Sequence, residues 1–130
     1  MKLGLALTAC ASIALASCSN TTLDERLAIG VETAYAAAAN AAALAFRSGV
    51  IAPSQDPAVR QADFCTRVAA KSVTPTDKGG RVAALDCKVH DALVRMRAAQ
   101  TAGNAAQYAA AFTEAQAGLR EINDIIKGAR

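Results

Sequence analysis

From Val82 to Ala99 the residues Val82, Leu85, Val89, Ala92, Leu93, Met96 and Ala99 bring apolar side chains back every three or four positions. Only a helix places that spacing on one face, and such a face must be buried against a partner. After Gly103-Asn104 the same period resumes in Tyr108, Phe112, Ala115, Leu119, Ile122 and Ile126. Gly103 suits the left-handed residue that ends a helix, and Asn104 suits the cap of the next, with Gln107 at the capping-box position. The spacing predicts helices over 81–102 and 105–127, joined so tightly that they pack antiparallel.

Two further helices are expected upstream. Thr22-Leu23-Asp24-Glu25 has the form of a capping box, and the helix it opens runs to about Ser48. Its stripe is Leu23, Leu27, Val31, Ala34, Ala38, Ala41 and Ala45. Gly49 is placed to end it in the left-handed conformation, Val50 to pack back, and Pro53 to prevent resumption. Asp56-Pro57 reads as a cap followed by proline in the first turn, opening a helix over 57–73. The stripe expected there is Ala58, Ala62, Cys65, Val68, Ala69 and Ser72, and 74–80 is a turn-rich break. About a quarter of the chain is alanine, and its aromatic residues are two Tyr and three Phe. The best helix former dominates while sheet builders are scarce, so the fold class is all-α. Short connections make an up-down four-helix bundle the natural product, in one domain over 23–130.

The chain begins differently. Met1 and Lys2 precede a 15-residue apolar stretch, Leu3 to Ser17. That is short of the roughly 20 residues a membrane-spanning helix needs, and it suits the core of a signal peptide. The stretch closes on Leu15-Ala16-Ser17-Cys18. These four residues resemble the lipobox of bacterial lipoproteins: a branched apolar residue, two small ones, then cysteine. The resemblance implies cleavage before Cys18, a diacylglyceryl group on its sulfur and acylation of the new amino terminus. Leu7-Thr8-Ala9-Cys10 fits the same pattern but leaves few apolar residues upstream, which favours Cys18. The expected plan is a signal peptide over 1–17, a lipidated terminus and short linker over 18–22, and the bundle after it. At about 0.8 kcal/mol per buried methylene, two or three acyl chains make attachment effectively permanent. Ser19 is not the aspartate that, in enterobacterial lipoproteins, favours inner-membrane retention. The implied address is therefore the outer membrane, facing the periplasm. The rival reading is an ordinary secretory leader that releases a soluble protein. In composition the mature chain also resembles short alanine-rich helical lipoproteins of proteobacterial genomes and prophages, and no site residue carries over from that likeness.

After such processing Cys65 and Cys87 remain besides the anchor. In an exported protein an even pair is expected to form a disulfide. Both lie eleven residues from Thr76, in the turn between the second and third helices, so an antiparallel hairpin brings them side by side. A loop of that size constrains the unfolded chain by roughly 3 kcal/mol in the entropic model. Cys87 projects away from the Leu/Val stripe and shares its side with Ala83, Val94 and Ala98, so the third helix is expected to have neighbours on two sides.

Little in the chain asks for chemistry. The net charge is +3, with 14 basic and 11 acidic residues interspersed, which argues against a nucleic-acid stripe. Cys87 and His90 share a helix face and, with Cys65 and Asp86 or Asp91, suggest a metal set. The single histidine and the oxidised cysteines speak against it, so no metal or cofactor is expected. Asp24/Glu25 and Glu121/Asp124 are explained by capping and solubility, Glu114 by a polar face, and no catalytic residues are assigned. The reading is a non-catalytic, membrane-anchored interaction or structural module. Surplus alanines on the first helix and on the second face of the third either serve tight internal packing, the plainer reading, or leave room for an envelope protein partner. The alternative is a bundle that carries a small ligand or metal in the periplasm.

Overall fold

A computed structural model describes residues 23–128, with side chains from Ala28 onward. The leader, the Cys18 lipobox and the Thr22 cap lie outside the described residues. Among the described residues, four α-helices and one 3-10 turn make up the regular structure: α1 Leu23–Arg47, the 3-10 turn Pro57–Arg60, α2 Phe64–Ala69, α3 Lys78–Ala102 and α4 Ala105–Gly128. No strand occurs among them.

The two apolar stripes of α3 and α4 behave as their periodicity demands. All seven α3 positions are buried, with Val89 and Ala92 fully so. On α4, Tyr108, Ala115, Leu119, Ile122 and Ile126 are buried, and Phe112 packs at the edge with its ring stacked on Tyr108. Gly118 sets how near the helices come, because a Cβ there would lie 2.5 Å from Val89 Cγ2. Gly103 adopts φ 67°, and Asn104 Oδ1 accepts from the Gln107 N–H at 3.1 Å, so one dipeptide ends α3 and caps α4. The α1 helix lies against both, contributing Val31, Ala38, Ala42 and Ala45 to the shared core. Each large side chain buried there adds about 1.5–3 kcal/mol over its exposed state.

Three expectations are corrected. At the end of α1, Gly49 is left-handed (φ 76°), but Val50 is exposed and Ile51 packs back, 1% exposed. The Ile51 N–H donates to the Ala45 carbonyl, which carries the turn one residue further.

The helix expected over 57–73 is broken in two. Asp56 caps only the 3-10 turn, Gln61 is extended at φ −81°, ψ 143°, and α2 spans six residues. Ala62, Cys65, Ala69 and Ser72 of the expected stripe are exposed, while Phe64 and Val68 are buried against Ala84. Burying one aromatic and one valine outweighs the few tenths of a kcal/mol that helical alanines contribute. Lys71 then ends α2 in the left-handed region at φ 56°. Its N–H donates to the Val68 carbonyl and that of Ser72 to the Arg67 carbonyl, the Schellman pattern without its glycine.

The third correction concerns the start of α3. Gly79 and Gly80 lie in its first turn and not in the preceding break. Asp77 caps this turn, Oδ1 accepting from the Gly80 N–H at 2.7 Å. Its Oδ2 accepts from the Gln55 N–H at 2.9 Å and from Ser54 Oγ at 3.2 Å. A Cβ on Gly79 would stand 2.6 Å from the Ala52 carbonyl oxygen. Gly79 is therefore where the loop after α1 docks, backbone on backbone, while the side chains of Pro75, Asp77 and Ser54 crowd Gly80.

Candidate functional site

Cys65 and Cys87 are the sequence-predicted residues that the fold brings together. They are disulfide-bonded, with Cα atoms 5.3 Å apart. Cys65, on α2, is exposed, and Cys87, on α3, is partly buried. This bond stands beside a small cluster of Phe64, Val68 and Ala84, with Val59, Val73 and Ala83 at its margin. The second face of α3 is thus occupied, as its apolar residues imply, but only along its first half. Val94 is 52% exposed and Ala98 is exposed too, beyond Ala83, Ala84 and Cys87, the α3 residues that pack with this cluster.

His90 is exposed on α3, one turn beyond Cys87. With Cys87 bonded to Cys65, the suggested ligand set does not form. Among the described residues no group of three or more His, Cys, Asp or Glu side chains is placed to hold a metal ion.

Arginines hold several of the acidic residues that chemistry could have used. Glu114 and Asp91 both pair with Arg95, Glu121 pairs with Arg81 at 3.6 Å, and Glu32 of α1 pairs with Arg97 of α3. All are exposed enough for water to screen them, so each adds at most about 1 kcal/mol. Asp77 is the more committed carboxylate. Hydrogen bonds from the Gln55 and Gly80 amides, then from Ser54, hold it below the usual aspartate range. These are capping interactions.

One pair escaped the sequence reading. Tyr35 follows Val31 by one turn and packs at the edge of the core, where its hydroxyl meets Asp86 of α3. Burial first, then the Asp86 carboxylate, pushes its pKa up to about 12. A phenol held so firmly protonated donates a hydrogen bond and does not serve as a base near neutrality. An aromatic among alanines was the one signal in the sequence, but only packing reveals that its partner is Asp86.

The outer side of α1 carries exposed large apolar residues, Ile29 and Leu44, with Val50 just beyond its end. The segment Ala28–Arg47 is long and apolar enough to cross a membrane by length and composition alone. Its inner side nevertheless lines the common core, and Glu32 ties it to Arg97.

Compared with known protein families, with curated protein sequences and with solved structures, the chain matches none.

Proposed function

We propose that the protein is a lipoprotein of the bacterial cell envelope. Cys18 carries the acyl chains, and the helical domain is a non-catalytic module held at the membrane, in the outer membrane and facing the periplasm. In this reading α1, α3 and α4 follow an up-down course, with the segment carrying α2 as the short fourth member. The Cys65–Cys87 bond carries the reading furthest, because structural disulfides persist in oxidising compartments, which agrees with the export implied by Leu3 to Ser17. The five-residue step from Cys18 to the start of α1 keeps the domain close to the bilayer. Ile29, Leu44 and the exposed alanines Ala36 and Ala37 then face outward from α1, toward an envelope protein partner.

The test is metabolic labelling with palmitate. The wild type takes up label and partitions with membranes. Cys18→Ala is expected to lose essentially all of the label and to leave the membrane fraction. Label and membrane partition retained in Cys18→Ala would end this reading.

A further inference from the structure

We infer that residues 57–73 form a flap stapled to α3 by the Cys65–Cys87 bond, and that reducing this bond frees the flap while α1, α3 and α4 stay folded. The inference goes beyond the proposed function and is independent of where Cys18 is held.

Two separate hydrophobic clusters form, and Ala58 is buried in neither of them. The large core draws on α1, Ile51, α3 and α4 and contains no residue of 57–73. The small one consists of Phe64 and Val68 from the flap and Ala84 from α3. Among the long helices, α2 rests chiefly on α3. Loss of the flap therefore removes none of the contacts that hold the long helices to each other.

The two ends of the flap are joined without the disulfide. Asp77 grips Ser54 and the Gln55 amide on the entry side and caps α3 on the exit side, so the intervening chain can lift with its base intact. The flap has little strength of its own. A six-residue helix is far below the length at which helices persist alone in water, and Lys71 sits in a backbone region that disfavours side chains.

The bond is also open to exchange. A thiolate of a dithiol attacks the sulfur of the exposed residue Cys65, the Sγ–Sγ bond breaks, and Cys87 leaves as a thiolate that takes up a proton. The second thiol of the reductant then displaces Cys65. Both cysteines end as thiols and the dithiol as its disulfide, two electrons having passed to the protein.

Hydrogen exchange read by mass spectrometry on the intact protein, before and after dithiothreitol, tests this. Protection of 57–73 is expected to fall about 100-fold on reduction, while 82–99 and 108–126 change little. A fall of less than tenfold in 57–73 would mean that Phe64 and Val68 hold the segment without the bond, and would overturn the inference. An equal loss across α3 and α4 would overturn it as well, by showing one cooperative unit. The Cys65→Ser/Cys87→Ser variant is expected to give the reduced pattern without reductant. Protein reduced after folding decides the matter even where that variant does not fold.

Discussion

Gly79 shows how much one missing methyl group can organise. Its α-carbon lies where the Ala52 carbonyl oxygen and the Ser54 amide pass, and a Cβ would meet them at 2.6 and 2.7 Å. Backbone atoms cannot swing aside as a side-chain tip can. Gly79→Ala is therefore expected to destabilise the protein by about 2–3 kcal/mol, lowering the melting midpoint by on the order of 10 °C or more. Gly30 is the natural comparison, since it lies inside α1 and a Cβ added there would have nothing within 4 Å. Gly30→Ala should raise stability by about 0.5–1 kcal/mol through helix propensity alone. Thermal melts of both variants check the pair; equal effects would mean that the loop after α1 does not dock on α3. The Gly79-Gly80 dipeptide looks like a turn in the sequence, because nothing local announces the chain that will lie against it.

Between elements, the Tyr35–Asp86 contact links α1 to α3 and gives that link a pH dependence. Below pH 10 the phenol is protonated whether the chain is folded or not, and its contribution is complete. Between pH 10 and about 12 the unfolded chain releases this proton while the folded one keeps it, so stability falls as pH rises. Tyr35→Phe is expected to cost about 1 kcal/mol at neutral pH, where the hydrogen bond to Asp86 is lost. The same variant should lose less stability than the wild type between pH 9 and pH 11. Denaturant melts at the two pH values check this, and parallel losses in both proteins would refute it. The strong period of α3 and α4, and the Gly103-Asn104 boundary between them, were legible before folding. The 57–73 segment was not, because six small residues at helical spacing carry a helix signal but too little burial to enforce it. Phe64, off that stripe, and Val68 decided how the segment lies.

Across the whole molecule, two hydrophobic cores of unequal size share α3. Met96 is 1% exposed in the large one and Phe64 is 6% exposed in the small one. Met96→Ala should lower global stability by about 3 kcal/mol, by lost transfer energy plus a cavity. Phe64→Ala removes a larger side chain, yet it should shift global stability in urea by less than about 1 kcal/mol while hydrogen exchange in 57–73 accelerates. Circular dichroism reads the first quantity and exchange the second. An equal drop in global stability from both variants would show that the two cores unfold together.

Taken alone, the order of residues determined that the domain is helical, where α3 and α4 meet, which of their faces are buried, and that Cys65 and Cys87 come together. Each of these depends on neighbours within a turn or two, or on distance from one turn. Only the tertiary structure decided that Ile51 and not Val50 returns to the core, that the second helix breaks, that Gly79 seats a loop, and that Tyr35 finds Asp86. Those outcomes depend on atoms brought together from distant parts of the chain, where burial and steric fit outweigh the few tenths of a kcal/mol of local preference.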